Sequence, residues 1–225
     1  MKLSATMILL VSLAALLLSG CAIPNRQYYT LNYVSSPIQN RRFEEPYPFV
    51  IRIKEFSIEE AYNRNQIVYR LNPFQLQYYV YRHWAVRPTR MITDLIDKHL
   101  VSSNLVSATV RRFDEGRTPD YQLSGSIEAL EEYDSEDLTF AHMAMRIYLS
   151  RISDGRTIYS RRFSLRRRVY QQEAEFVIRE LSNILEYIMT MALEDIDAQL
   201  AEEFGIISAG ETDIAQPDNS ITGSD

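Results

Sequence analysis

Alternating apolar and polar residues run through much of the chain, and this period of two is typical of half-buried strands. In the segment 49–56, for example, Phe49, Ile51 and Ile53 share one face. Together with enrichment in aromatic and β-branched residues, the pattern predicts strands at residues 28–33, 49–56, 66–71, 76–84, 105–110, 121–133, 140–152 and 156–170. We expect the last three to form an antiparallel meander.

Two segments show the period of an α-helix instead. The first begins at Pro88, which suits the first turn of a helix because proline has no amide hydrogen to leave unpaired. Its apolar stripe consists of Met91, Ile92, Leu95, Ile96, His99 and Leu100. The second helix is predicted from about residue 172 to Phe204. The fold class is therefore α+β, a largely antiparallel twisted sheet with two helices packed on one face.

The turn between the last two strands predicts their register. A two-residue loop of Asp154 and Gly155 would place Ile147 opposite Arg162 and mix apolar with charged residues on one face. A three-residue loop at 153–155 gathers the apolar side chains instead. It pairs Met143 with Leu165, Met145 with Phe163, and Leu149 with Tyr159. We expect this loop, with Gly155 in the left-handed conformation.

The N-terminal segment has the pattern of a lipoprotein signal peptide. Residues 1–20 carry Lys2, an apolar run of about a dozen residues and small residues before Cys21, whereas a membrane-spanning helix needs about 20. The sequence LSGC at 18–21 fits cleavage before a lipidated cysteine, and Cys21 is the single cysteine of the chain. Ala22, which stands where aspartate would indicate inner-membrane retention, favours the outer membrane. The first strand begins seven residues after Cys21, a tether of at most about 24 Å, so we expect the domain to lie against the bilayer.

Composition indicates one periplasmic domain over residues 21–204, followed by an acidic tail at 205–225 that we expect to be disordered. The formal charge of −6 argues against a nucleic-acid partner. With a single cysteine the domain has no disulfide of its own, so its stability must come from a hydrophobic core.

Motifs for catalysis or cofactor binding are absent from the sequence. There is no phosphate-binding glycine loop, zinc-protease helix motif or glycine-flanked serine, and His83, His99 and His142 are far apart. We expect no catalytic residues, cofactor or metal, and His99 is expected to be packed in the core. Glu131 and Glu132 could act as an acid pair, but we expect a solvated acidic face there.

Aromatic residues occupy both faces of the segment 76–84. One face carries Trp84, and the other carries Tyr79 and Tyr81, which are either exposed anchors for a partner or covered by another layer; the sequence leaves both alternatives open.

Arginines cluster on the last strand, at Arg161, Arg162, Arg166, Arg167 and Arg168. Arg166, Arg167 and Arg168 are candidates for contact with anionic lipid headgroups or an acidic partner. The alternative is that the arginines pair with acidic neighbours or protect a sheet edge from aggregation.

Several motifs in order resemble the ABC-type transport auxiliary lipoprotein family, which includes the paraquat-inducible outer-membrane lipoprotein. They are YYTL at 28–31 soon after Cys21, the strand pair and helix start at 66–100, and DYQLSGSIEAL at 120–130. The similarity extends from Cys21 to about Leu200. The tail and the arginine cluster do not match the family pattern.

The resemblance implies a non-enzymatic lipoprotein of an intermembrane lipid transport system, which would dock a mammalian-cell-entry-type periplasmic protein at the outer membrane. We expect several copies to associate, with Tyr79, Tyr81, Trp84 and Arg87 as the candidate partner interface. Two alternatives remain: an accessory lipoprotein of outer-membrane assembly, and a periplasmic enzyme acting on lipid or cell wall. A deep cleft that brings a histidine beside a serine and a carboxylate would favour the enzyme.

Overall fold

A computed structural model describes residues 25–35, 37–39, 41–111, 117–135, 138–171 and 173–214, with side chains to residue 205. The strands are β1 (Gln27–Tyr29), β2 (Tyr47–Ile53), β3 (Ser57–Ile58), β4 (Gln66–Asn72), β5 (Gln75–Trp84), β6 (Val106–Val110), β7 (Tyr121–Ser135), β8 (Leu138–Arg151) and β9 (Thr157–Val169). The helices are α1 (Pro88–Ser103) and α2 (Ala174–Ile214), and a 3₁₀ turn spans Glu60–Tyr62. Nine strands and two helices in the described residues confirm the α+β class.

Strand β7 organises the sheet. One of its edges pairs along nearly its whole length with β8, which in turn pairs with β9. The other edge receives β2, β3 and β4 one after another, through Ile51 opposite Tyr121, Ser57 opposite Ser126, and Val68 opposite Glu131. Strand β6 extends the sheet beyond β2, and β5 and β1 extend it beyond β4.

The sheet is mixed: most of its paired residues in the described part of the chain lie in antiparallel ladders, as predicted, and the parallel pairings are an addition to that prediction. Within the described residues the long hairpin pairings β4–β5, β7–β8 and β8–β9 are antiparallel, whereas β1–β5, β2–β6, β2–β7, β3–β7 and β4–β7 are parallel. Hairpins join neighbours in the sequence through short turns and so leave a local signal. The parallel partners are distant in the sequence, and residue alternation does not indicate their direction.

Both helices cover the same face of the sheet and share one hydrophobic core. The residues Met143, Met145 and Leu149 of β8 are completely buried, as are Leu181 and Leu185 of α2. Helix α1 packs between β6 and α2. Its His99 is completely buried, and the Nδ1 atom lies 3.3 Å from the hydroxyl of Tyr33. The expectation of a packed histidine is confirmed.

The β8–β9 register agrees with the prediction, and the turn differs by one residue. Met143 pairs with Leu165, Met145 with Phe163 and Leu149 with Tyr159. Gly155 has a φ of 72°, the left-handed conformation expected of it. The Arg151 amide donates to the Arg156 carbonyl at 2.8 Å, so the loop has four residues rather than three, and a register shift after Leu149 restores the pairing.

The second helix is longer than predicted. Helix α2 continues to Ile214, ten residues beyond the predicted end at Phe204. This extension contains two glycines, Gly205 and Gly210, each of which costs a helix only about 1 kcal/mol, and the next proline is Pro217. Residues 1–24, with the predicted signal peptide and Cys21, and residues 215–225 lie outside the described residues. Within the described part of the chain, neither helix combines the length and apolar character that crossing a bilayer requires.

Candidate functional site

Five elements bring polar side chains together on the sheet face opposite the helices. We call this group the Glu131 cluster: Tyr62 from the 3₁₀ turn, Arg70 from β4, Glu131 from β7, His142 from β8 and Ser164 from β9. Glu131 and His142 are directly opposite each other across the β7–β8 ladder. Because paired strand residues point to the same face, the ladder itself places the carboxylate beside the imidazole.

Glu131 is the centre of the cluster and its side chain is only 1% exposed. The Arg70 Nε atom donates to both carboxylate oxygens, at 2.9 and 3.0 Å. The Tyr62 hydroxyl donates to Oε2 at 2.6 Å, and the His142 Nδ1 atom lies 2.9 Å from Oε1. The buried charge is thus compensated by one cation and satisfied by three hydrogen-bonding partners, as a buried carboxylate requires.

The environment keeps Glu131 ionised. Burial alone would raise the pKa of Glu131, but hydrogen bonds from His142, Arg70 and Tyr62 together with the Arg70 charge outweigh burial and lower it. The environment also changes the pKa of Tyr62, which burial and the hydrogen bond to the Glu131 carboxylate both raise. The cluster is therefore an ionised carboxylate held by a protonated phenol and a guanidinium at neutral pH.

The outer wall of the cluster borders a cavity of about 320 Å³. The His142 Nε2 atom lies 3.3 Å from the Ser164 hydroxyl, which is at the exposed surface. Arg162 pairs with Glu128 at 2.6 Å on one side, and the Arg166 guanidinium lies 4.1 Å from the centre of the Tyr133 ring on the other. A second cavity, of about 470 Å³, lies beside Gln39 and α2, away from these groups.

The expectation of a solvated acidic face at Glu131 and Glu132 is wrong, because both residues are buried. Glu132 points to the other side of β7, where the Tyr79 hydroxyl donates to it at 3.0 Å. Burial raises the pKa of Glu132 above its ordinary value, with the nearby Asp134 charge acting in the same direction. The two neighbouring carboxyls thus have opposite pKa shifts, since Glu131 has a cation in direct contact and Glu132 has a phenol.

The four residues of the candidate partner interface differ in their exposure to solvent. Trp84 is 2% exposed and belongs to the core, which corrects its assignment to a docking surface. Tyr79 is half-buried by its contact with Glu132, while Tyr81 and Arg87 are exposed. The faces of β5 differ from the predicted ones because β5 contains a bulge. Gln66 of β4 pairs with His83 and Val68 pairs with Tyr78, so residues 79–82 of β5 are opposite a single residue of β4 and do not alternate strictly between the two faces.

The arginine cluster divides as well. Arg161 pairs with Asp195 at 2.7 Å and Arg167 with Glu180 at 3.7 Å, both on α2, and Arg162 pairs with Glu128. These three follow the predicted alternative of pairing with acidic neighbours. Arg166 and Arg168 instead lie over aromatic rings, and among the described residues no carboxylate pairs with either.

The order Ser164, His142, Glu131 is that of a hydrolase relay, but two features of the site oppose catalysis. Ser164 lies within the regular part of the β8–β9 ladder, between Phe163 and Leu165, rather than on a turn that would turn backbone amides towards a reacting carbonyl. The Arg70 charge also already compensates Glu131, which weakens its ability to stabilise an imidazolium. Within the described residues, no group of histidines and carboxylates has the spacing of a metal site.

Comparison with known proteins gives a family match and a fold match. The family of ABC-type transport auxiliary lipoprotein components matches residues 29–190. A crystal structure of a protein from Xanthomonas campestris is similar, with 19% identity, a TM-score of 0.70, and coverage of 80% of this chain and 99% of that one. The crystal structure of another protein, described as uncharacterized, has 13% identity, a TM-score of 0.54 and the same coverage. No curated protein matches the chain significantly.

Proposed function

Because the chain belongs to the family of ABC-type transport auxiliary lipoprotein components, we propose that it is the outer-membrane docking piece of an intermembrane lipid transport system. The family match over residues 29–190 carries this proposal, since it covers strands β2 to β9, helix α1 and the first part of helix α2. In the proposed system a mammalian-cell-entry-type periplasmic protein brings lipid across, and this lipoprotein holds its far end.

The proposed anchor is a lipid on Cys21. The sequence at 18–21 supports it, as does the six-residue distance from Cys21 to the start of β1 at Gln27. Two or more acyl chains bind a bilayer strongly, because each buried methylene contributes about 0.8 kcal/mol. We place the domain on the periplasmic face of the outer membrane. Mass analysis of the N-terminal peptide and fractionation of the two membranes test the anchor; an unmodified thiol would contradict it.

The proposed partner surface is the exposed remainder of the predicted interface. Of that interface, Tyr81 in β5 and Arg87 just before α1 are exposed; Val86, which the prediction did not include, is an exposed neighbour of Arg87 in the sequence. Tyrosine and arginine are among the residues enriched at protein interfaces and at their energetic hot spots. The transport partner would contact this surface without displacing Trp84 from the core.

Co-purification from native envelopes tests the docking role. We expect the full lipoprotein to bring down a mammalian-cell-entry-type protein, and we expect Tyr81→Asp with Arg87→Glu to lower its yield at least about tenfold. Tyr187→Asp, which changes an exposed tyrosine on α2, is the matched control and should leave the yield unchanged. Recovery of an outer-membrane assembly machine instead of transport proteins would favour the alternative accessory role and overturn this one.

The proposal includes association of several copies, which would give the transport partner a symmetric platform. Native mass measurement of the detergent-purified lipoprotein tests this point. A single monomeric mass at all concentrations would contradict it.

The relay-like order of Ser164, His142 and Glu131 is the observation that supports an enzyme as a second candidate. Activated ester substrates and a fluorophosphonate probe test it directly, with Ser164→Ala as the variant. We expect no reaction above that of the Ser164→Ala chain, and full function of that variant in the cell. Labelling of Ser164 by the probe would establish the hydrolase instead.

A further inference from the structure

One end of the sheet gathers exposed apolar and basic side chains. Strand β4 runs parallel to β7, with Arg70 opposite Tyr133, so the β4–β5 turn lies at the same end as the β7–β8 turn. Strand β9 finishes there too, because Val169 pairs with Thr139 at the start of β8. We call this end of the sheet the hairpin end. The residues of interest there are Leu71, Phe74, Leu138, Arg166, Arg168 and Tyr170.

Aromatic side chains at the hairpin end are almost fully exposed. Phe74 is 98% exposed at the β4–β5 turn, and Tyr170 is 83% exposed just after β9. Leu71 and Leu138, which flank the two turns, are also exposed. A single exposed apolar residue is ordinary, but several around one end of a domain indicate a surface that is covered in use. Tyrosine is enriched at membrane–water interfaces, and phenylalanine is one of the apolar residues that interfacial segments bury there.

The free arginines lie at the same end. Arg166 and Arg168 are on the open face of β9, near its last residue, and are exposed. Their neighbours Arg161, Arg162 and Arg167 pair with carboxylates, whereas these two contact only the rings of Tyr133 and Tyr170 among the interactions of the described residues. Their donors therefore remain available for phosphate groups, which guanidinium binds in a bidentate manner. Asp134 in the β7–β8 turn is an acidic neighbour, and its carboxylate accepts the Thr139 hydroxyl.

The chain direction leads from this end to the proposed anchor. Strand β1 is parallel to β5, with Gln27 opposite Arg82, and β5 starts at the β4–β5 turn. The chain that precedes Gln27 is therefore directed towards the hairpin end. The six residues from Cys21 to Gln27 reach at most about 20 Å, and the seven from Gln75 to Arg82 span a similar length. An acyl group on Cys21 can thus lie level with Phe74.

We propose that the hairpin end rests on the bilayer that holds the Cys21 lipid, with Phe74 and Tyr170 in the interfacial region and Arg166 and Arg168 on lipid phosphates. This inference rests on the proposed lipid anchor and adds an orientation to it: the β8–β9 turn and the C-terminal part of α2 point away from the membrane. A lipid on Cys21 alone would leave the domain free to rotate about its anchor. Apolar side chains in the interface and arginines on headgroups would add two further contacts with the bilayer and so fix the orientation.

Depth measurement on the full lipoprotein tests the orientation. Cys21 is the only native cysteine, so when it is acylated a Phe74→Cys variant carries one reactive thiol. That thiol is labelled with an environment-sensitive fluorophore, and the protein is reconstituted in vesicles of phosphatidylethanolamine and phosphatidylglycerol. The matched control is Ile152→Cys, an exposed apolar residue of the β8–β9 turn at the other end of the sheet.

We expect blue-shifted emission and quenching by lipid-borne spin labels at position 74, with neither effect at position 152. Arg166→Gln with Arg168→Gln should lower the quenching at position 74 several-fold in vesicles that contain phosphatidylglycerol. Equal quenching at both positions, or quenching at position 152 alone, would overturn the orientation. Disulfide-linked dimers of the unlabelled Phe74→Cys chain, without quenching of the labelled one, would show a contact between copies instead.

The same samples separate this inference from the proposed function. If mass analysis finds Cys21 unmodified, the lipid anchor fails and the orientation fails with it. If Cys21 is acylated and position 74 remains in water, the orientation alone is wrong and the docking role stands.

Discussion

The Nδ1 atom of His142 lies 2.9 Å from Oε1 of Glu131, and this contact joins two strands through a buried carboxylate. Arg70 and Tyr62 bind the same carboxylate from β4 and from the 3₁₀ turn. Strands β4 and β8 lie on opposite edges of β7, so the backbone hydrogen bonds of the sheet do not join them directly. The side chains of the Glu131 cluster do connect them, through the shared carboxylate. Such a group stabilises the fold only while all its partners are present.

Glu131→Gln should lower the free energy of unfolding by about 2–4 kcal/mol, because it leaves the partly buried Arg70 without its counter-charge. Urea denaturation at neutral pH measures the change. Glu128→Gln is the control: Glu128 also pairs with arginines, but its side chain is partly exposed and both arginines are more exposed than Arg70, so its loss should cost less than about 1 kcal/mol. Equal costs for the two substitutions would contradict a special role for the buried site.

Glu131 and its neighbour Glu132 should affect the pH dependence of stability in opposite ways. The pKa of Glu131 is lowered from 4.5, so its stabilisation is complete above that pH and is lost as the pH falls through the folded-state pKa. The pKa of Glu132 is raised, so its favourable contribution is complete below pH 4.5 and is lost as the pH rises through the folded-state pKa.

Substitution by glutamine separates the two effects. The penalty of Glu131→Gln should shrink as the pH falls below 4.5, whereas Glu132→Gln should become relatively more stabilising as the pH rises above 4.5. Urea midpoints between about pH 3 and pH 7 for the parent and both variants test this. Parallel pH profiles for the two variants would show that the cluster does not set the carboxyl ionisation.

The sequence predicts the hairpins well and the cluster poorly, for a physical reason. Strand alternation and the left-handed Gly155 are local features, so the register of Met145 against Phe163 follows from a few residues around one turn. Glu131 has three partners, of which His142 lies opposite it in an antiparallel hairpin. The other two, Arg70 on β4 and Tyr62 in the 3₁₀ turn, reach it because β3 and β4 pair in parallel with β7, and such pairings carry no local signal. Two adjacent carboxyls between Leu130 and Tyr133, in a strand pattern, were the available indication that at least one charge is buried.

Gly125→Ala should destabilise the domain by about 1–3 kcal/mol, because an added Cβ would collide with the Phe56 ring and the Arg146 carbonyl oxygen. Phe56 is 1% exposed and packs over β7 where Gly125 leaves room, so it has little space into which it can move. The control is Gly205→Ala in α2, where the new methyl group meets no atom within 4 Å. That change should stabilise the domain by up to about 1 kcal/mol through helix propensity. Thermal unfolding of both variants checks the signs, and an unchanged midpoint for Gly125→Ala would refute the close packing.

Tyr47→Phe should cost about 1–3 kcal/mol and loosen the later turns of α2. The buried Tyr47 hydroxyl donates to the Asp197 side chain at 2.9 Å and lies 3.1 Å from the Asp197 carbonyl, so it ties β2 to the helix. After the change the Arg42 amide, 2.9 Å from Oδ2, still binds the carboxylate, which limits the loss. Tyr187→Phe, at an exposed tyrosine of the same helix, should change stability by less than about 0.5 kcal/mol. Amide hydrogen exchange in α2 measures the local effect, and faster exchange around Asp197 in Tyr47→Phe alone is the expected result. Uniform protection in both variants would mean that apolar packing holds this part of the helix without the hydroxyl.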